Sequence, residues 1–174
     1  MSPPIRVECR GRRVTFVAEE QVLPNNHKII VDRVVFPQAV AILPVYTRTR
    51  EIILIEQYRP AIGETILEAP AGVVDPGETP EQAAARELEE EAGLKPDKLI
   101  HIATAYTSPG YTTEKIHYYI APNPQKTRPH TEPHEIIKTR KLTLTEAQKQ
   151  IQQQKIKDTK TILLILAATT LKPL

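Results

Sequence analysis

Apolar and polar residues alternate in two short runs near the start of the chain, Ile5 to Cys9 and Val14 to Val17, with Arg10-Gly11-Arg12 between them. A period of two puts one face of each run on a core, so the pair reads as a β-hairpin. Lys28 to Val35 reads as a further strand. Ala39 to Tyr46 (AVAILPVY) and Ile52 to Tyr58 (IILIEQY) are continuous, apolar and rich in β-branched residues. That is the pattern of central strands buried on both faces. The periodicity then turns helical. The Thr79 hydroxyl can accept from the Gln82 amide, Pro80 suits the first helical position, and Gly93 supplies a left-handed stop. Pro80 to Ala92 is therefore predicted as a helix with both ends marked. Leu99 to Tyr106 and Ile116 to Ile120 read as strands around a turn-rich loop, Thr107 to Thr113. Pro122 to Pro133 is polar, proline-rich and loop-like. A strand near Glu135 to Leu142 follows. Thr143 with Glu146 makes a second capping box for a helix to about Gln154, and Asp158 caps a last helix through Ala168. Strands, one helix, strands, two helices is not a regular β-α-β alternation. It predicts α+β, a mixed-sheet sandwich rather than a doubly wound fold.

Composition narrows the picture by what it leaves out. The 174 residues fit one domain with enough apolar content for a core. Net charge is +2, the basic residues are scattered and aromatics are few, so nothing suggests a nucleic-acid surface or a membrane surface. Cys9 is the only cysteine, which fits a reducing compartment. The start, MSPPIRVECRGRR, has no apolar signal segment, and Ile162 to Ala168 is too short to cross a bilayer. The expectation is a soluble cytoplasmic protein.

The candidate chemistry lies in the first helix, where Glu87, Glu89, Glu90 and Glu91 crowd into little more than a turn. At 100° per residue Glu87, Glu90 and Glu91 share one face and Glu89 points elsewhere; Leu88, Ala85 and Ala92 form a narrow apolar stripe. Like charges at i,i+4 repel, and anions near a helix C-terminus oppose its dipole. Arg86 can pair with Glu90 but does not neutralise the group. A hard divalent cation would, and carboxylate oxygens without His or Cys suit Mg²⁺ or Mn²⁺ rather than Zn²⁺. A solvated acidic face is the alternative for any Glu-rich helix. The stretch from Ala71-Gly72 to Gly77 reads as a flexible loop able to offer backbone carbonyls beside the same face.

The spacing in full is Gly72, five residues, Glu78, seven residues, then Arg86-Glu87-Leu88-x-Glu90-Glu91-x-Gly93-Leu94. This resembles the Nudix box at every defining position. The resemblance implies a Nudix-type α/β/α sandwich with a mixed β-sheet, and hydrolysis of a nucleoside diphosphate linked to another group with the help of a divalent metal. It implies Glu87, Glu90 and Glu91 as metal ligands, with the Ala71 carbonyl beside them, and a bracing ion pair between Glu78 and Arg86.

Three flanking segments resemble the ADP-ribose pyrophosphatase branch of that family: Glu56-Gln57-Tyr58-Arg59-Pro60, Leu67-Glu68-Ala69-Pro70-Ala71-Gly72, and Pro109 within Thr107-Ser108-Pro109-Gly110. With the box and Lys155-Ile156-Lys157-Asp158 they extend the likeness over nearly the whole chain. It implies ADP-ribose as substrate, with a broader nucleotide-sugar pyrophosphatase as the alternative and a non-catalytic Nudix-fold binding module behind both. Arg59 can present a planar fork to phosphate, and Arg33 is a second candidate. Glu68 faces either the substrate ribose, the metals or a structural hydrogen bond. The family's base lies in the loop after the marker proline; here Glu132 and Glu135 are the candidates, and alignment on the following strand favours Glu135. His134 between them receives no role. Some relatives clamp adenine between tryptophans from two subunits. This chain has no Trp, so Phe16 either stacks on the base or belongs to the core. Residues 1–36 are expected to form N-terminal β-strands for dimerisation and substrate binding, and residues 37–174 the catalytic region of a homodimer.

Overall fold

The computed structural model describes residues 6–127 and 137–170. It divides into two compact units. One holds the chain up to Gln38 together with Thr104–Ile116, and the other holds Ala39–Ala103 with the chain from His117. The expected boundary at residue 36 omits the 104–116 segment. That segment belongs with the N-terminal strands because Val34 N–H donates to the Tyr111 carbonyl at 2.8 Å and Thr113 N–H donates to the Val34 carbonyl at 3.0 Å.

The first unit is built on an antiparallel sheet of β1 (Arg6–Arg10), β2 (Thr15–Val22) and β3 (Lys28–Val35). The registers Cys9↔Phe16, Val7↔Ala18, Phe16↔Val34 and Glu20↔Ile30 put Val7, Phe16, Val22 and Ile30 on one face, all of them exposed. Val17, on the other face, is buried.

In the second unit β4 (Ala39–Tyr46) and β5 (Glu51–Arg59) pair only at Val45↔Ile52 and Tyr46↔Glu51. Pro44 has no N–H with which to extend the ladder, and the two strands part. Two short strands fill the gap: β6 (Glu64–Glu68) pairs with β5, and β7 (Ala71–Val73) pairs with β4. Thus Ala71-Gly72, expected as flexible loop, is strand. Its pairing partner lies some thirty residues earlier (Ala41↔Ala71), beyond the reach of a local pattern. Then come α1 (Pro80–Ala92), β8 (Leu94–Lys95), β9 (Ile100–Tyr106), β10 (Lys115–Pro122), β11 (Gln125–Lys126), β12 (Ile137–Thr143), α2 (Leu144–Gln152) and α3 (Thr159–Thr170). The main sheet runs β12-β5-β4-β10-β9.

β4 is buried on both faces, as its apolar run predicts. Val40 and Ile42 meet Ala83, Ala84, Leu88 and Ala92 of α1, while α3, whose Leu164 and Ile165 are fully buried, also packs on β4. Helices on both faces of a mixed sheet make the expected α+β sandwich. The apolar stripe of α1 is wider than Leu88, Ala85 and Ala92: Ala83 and Ala84 take the buried places and Ala85 lies at the edge, because the sheet covers a broader arc of the helix. All four caps form as read. Thr79 and Gln82 close a capping box, Gly93 stops α1 at φ 62°, Thr143 and Glu146 close a second box, and Asp158 accepts from the Thr161 amide at 3.0 Å. Among the described residues no helix is long and apolar enough to cross a membrane.

Candidate active site

The parted strands β4 and β5 carry the chain from Glu68 to Gly72 past the acidic face of α1. Ala71 N–H donates to Glu91 Oε2 at 2.9 Å, so the backbone of β7 fixes a carboxylate that is only 5 % exposed. Gly72 follows. A Cβ at this position would stand 1.9 Å from Glu87 Oε1, so a residue without a side chain is what lets the strand pass that carboxylate.

Arg86 organises the rest of the acidic face. Its Nε donates to Glu78 Oε1 at 3.0 Å and its Nη2 to Glu78 Oε2 at 2.9 Å, bracing the segment before α1 against the helix. Nη2 also donates to the Val73 carbonyl at 3.1 Å. Nη1 reaches Glu87 Oε1 at 2.7 Å and Glu90 Oε2 at 3.1 Å. The bond to Glu78 raises the guanidinium pKa; burial opposes that shift, and Glu87 and Glu90 reinforce it. The same bond holds Glu78 below the ordinary carboxylate range. Arg86 thus adds Glu87 to the two carboxylates expected of it, Glu78 and Glu90. Glu89, expected in solvent, accepts from Thr127 Oγ1 at 3.2 Å.

One guanidinium among three carboxylates leaves the group net negative. Among the described residues no three His, Cys, Asp or Glu side chains stand converged as a metal cage, since Arg86 draws Glu87 and Glu90 to itself. The donor set is nonetheless all oxygen, anionic and partly exposed, and it fits a hard divalent cation.

Beside Glu91 lies a second charged group. Arg59, at the end of β5, donates Nε to Glu68 Oε1 at 2.6 Å and Nη2 to Glu68 Oε2 at 2.9 Å. Lys160, in the first turn of α3, reaches the same Oε2. Glu68 is 1 % exposed. Burial pushes its carboxyl pKa up, and Arg59 and Lys160 outweigh burial, so the pKa is lowered on balance. The Glu68 bond raises the Arg59 pKa against burial, and the negative charges of Glu91 and Asp158 add to the rise.

The second unit therefore brings together Arg59, Glu68, Ala71, Glu87, Glu90 and Glu91. The first unit holds Arg33, ion-paired to Glu19 at 2.5 Å, together with Pro109, exposed in a turn, and Phe16, which is 41 % exposed and so not a core residue. Glu132, His134 and Glu135 lie outside the described residues. Sequence reading missed Lys160 and Thr161. Asp158 reads as a helix cap, and nothing local reveals that the residue two places on reaches into the site.

A family model for the NUDIX domain matches residues 35–162. The chain is 35 % identical over 153 residues to an ADP-ribose pyrophosphatase of Bacillus subtilis (strain 168), covering 87 % of this chain and 82 % of that protein. It is 34 % identical over 157 residues to a methanol dehydrogenase activator of Bacillus methanolicus, covering 89 % and 84 %. The crystal structure of an ADP compounds hydrolase superposes with a TM-score of 0.80 at 20 % identity, covering 97 % of this chain and 94 % of that one, and shows the shared fold. With the box intact and the sandwich formed around it, the chain belongs to the Nudix hydrolase family.

Proposed function

We propose that this Nudix hydrolase cleaves the pyrophosphate bond of ADP-ribose, adding water across one P–O bond to give AMP and ribose 5-phosphate. The observation that carries the reading is the complete carboxylate face of α1, held against β7 with Arg59 close by. The relative from Bacillus subtilis supplies the substrate name.

Nudix hydrolases generally need a divalent metal; we assign Mg²⁺, with Mn²⁺ as a substitute, to Glu87, Glu90, Glu91 and the Ala71 carbonyl. When bound, such a cation neutralises a diphosphate and acidifies water. The chain's own residues do the remainder. Arg86 and the Ala71 amide restrain the carboxylates. Arg59 spends Nε and one Nη2 hydrogen on Glu68, which leaves the Nη1 edge for phosphate oxygens. Glu135, or Glu132 in its place, takes the proton of the attacking water as general base. Arg33, Pro109 and Phe16, all in the first unit, are carried in this reading as candidate substrate contacts.

The enzyme acts in the cytoplasm as a homodimer. Cys9 has no second cysteine to pair with, and the exposed face of Val7, Phe16, Val22 and Ile30 offers apolar area for a second copy. A broader nucleotide-sugar pyrophosphatase is the second reading. The absence of Trp favours it, because a lone exposed Phe16 holds a base less selectively than a tryptophan clamp.

The discriminating experiment incubates the protein and Mg²⁺ with ADP-ribose, nucleotide sugars, dinucleoside polyphosphates and nucleoside triphosphates. ADP-ribose should give the highest kcat/KM. Equal values for several nucleotide sugars would favour the second reading, and turnover of triphosphates alone would overturn both.

A further inference from the structure

We propose that Lys160 is a positioning residue that sets the phosphate-facing edge of Arg59 through Glu68. The inference rests on the reading above that Arg59 contacts substrate phosphate.

Four charged side chains alternate in sign across the unit: Arg59, Glu68, Lys160 and Asp158. Arg59 holds both Glu68 oxygens, Lys160 holds Glu68 Oε2, and Asp158 Oδ1 accepts from Lys160 Nζ at 2.8 Å. The other Asp158 oxygen accepts from the Thr161 amide at 3.0 Å and from the Thr161 hydroxyl. Thr161 Oγ1 in turn accepts from Ala69 N–H at 2.7 Å. The first turn of α3 therefore grips the end of β6 twice, once by the Glu68 side chain and once by the backbone of the next residue.

Side-chain exposure is uneven across this network, and Asp158 is 15 % exposed. Glu68 is 1 % exposed, Lys160 16 % and Arg59 33 %. Only the Arg59 end opens outward. Lys160 is largely covered, and among the described residues its polar partners are carboxylates of this network. A buried carboxylate held by two cations keeps a fixed orientation; held by one, it follows that one. With Lys160 in place, Glu68 is a fixed socket and the guanidinium plane of Arg59 is defined by two bonds to it. Without Lys160, Glu68 is left to turn with Arg59 as one unit, and Asp158 loses the Lys160 ammonium. The substrate-facing Nη1 edge is then misaligned although Arg59 is intact.

The test measures kcat and KM for ADP-ribose with Mg²⁺, alongside thermal denaturation. It compares wild type, Lys160→Met, Lys160→Arg, Arg59→Gln and the double variant Lys160→Met/Arg59→Gln. Lys160→Met should raise KM about tenfold, the scale of one lost charged hydrogen bond, with a smaller change in kcat, and Lys160→Arg should restore most of it. In the Arg59→Gln background Lys160→Met should add nothing to KM. A purely structural role lowers the melting temperature and leaves KM in place. If Lys160→Met does not fold, Lys160→Gln serves in the same comparison. An unchanged KM in a folded Lys160 variant overturns the proposal, and so does an equal rise in KM with Arg59 already removed. If Arg59→Gln itself leaves KM unchanged, the phosphate role of Arg59 fails and the proposal fails with it, a result distinct from failure of Lys160 alone.

Discussion

Gly72 and Glu87 show how little space separates strand from chemistry in this protein. A methyl group on Gly72 would meet the far end of the Glu87 side chain rather than backbone. Gly72→Ala should therefore fold, with Glu87 swung off Arg86 and turnover lowered about tenfold or more, the cost of a small misplacement. Near-wild-type kcat, with an unchanged melting temperature, would show that Glu87 need not stay where Arg86 holds it. Glu68 makes a different prediction. Its folded pKa lies below its unfolded value, so its contribution to stability is present above the ordinary carboxylate value of about 4.3 and is lost as pH falls through the lower folded value. Urea titrations of wild type and Glu68→Gln at successive pH values should show a gap that is full at pH 6 and shrinks as pH falls below about 4.3. A gap that closes already between pH 6 and pH 5 would mean that Arg59 and Lys160 do not outweigh burial. At this scale the sequence was most legible where chemistry is local. The Glu78–Arg86 brace is part of a spaced motif on one helix and its approach, whereas the grip of Lys160 on Glu68 joins residues ninety-two apart and has no local signature.

α1 was readable end to end because its caps are short-range hydrogen bonds: Thr79 with Gln82, and Gly93 in the left-handed region at φ 62°. Its buried face was less so. Ala83, Ala84 and Leu88 are all fully buried against β4, a wider arc than the apolar stripe suggests, and Glu91 is buried beside them by its bond to the Ala71 amide. Leu88 fills the contact with Val40 and Ile42 of β4. Leu88→Ala should cost about 2–5 kcal/mol by denaturant unfolding, and a loss below about 1 kcal/mol would mean the helix is not anchored there. The strands β6 and β7 escaped sequence reading for the opposite reason. β7 pairs with β4, thirty residues earlier, and β6, which folds back on β5 across residues 60–63, is a short segment without a clear alternation; the gap they fill opens because Pro44 ends the β4–β5 ladder. That gap is what carries Glu68 and Ala71 to the site.

At the scale of the whole molecule, the exposed apolar face of the N-terminal sheet predicts association. Sedimentation at micromolar concentration should give a dimer, and Phe16→Glu with Ile30→Glu should shift it to monomer; a wild-type monomer would remove the dimer from the proposal. The order of elements was enough to expect an α+β sandwich, and a family match across residues 35–162 together with a fold-level superposition at a TM-score of 0.80 agrees with it. The attachment of residues 104–116 to the N-terminal strands was not foreseeable from order alone, because it depends on main-chain bonds between Val34 and the Tyr111–Thr113 segment. The central claim joins the carboxylates of α1 to metal-dependent hydrolysis of ADP-ribose. The most direct measurement is the rate of AMP release from ADP-ribose across a Mg²⁺ titration, for wild type and for Glu90→Gln, with folding of both checked by circular dichroism. Saturable Mg²⁺ dependence in the wild type, absent with EDTA and reduced by orders of magnitude in the variant, is the predicted result; metal-independent AMP release, or a Glu90→Gln variant as fast as wild type, would contradict it.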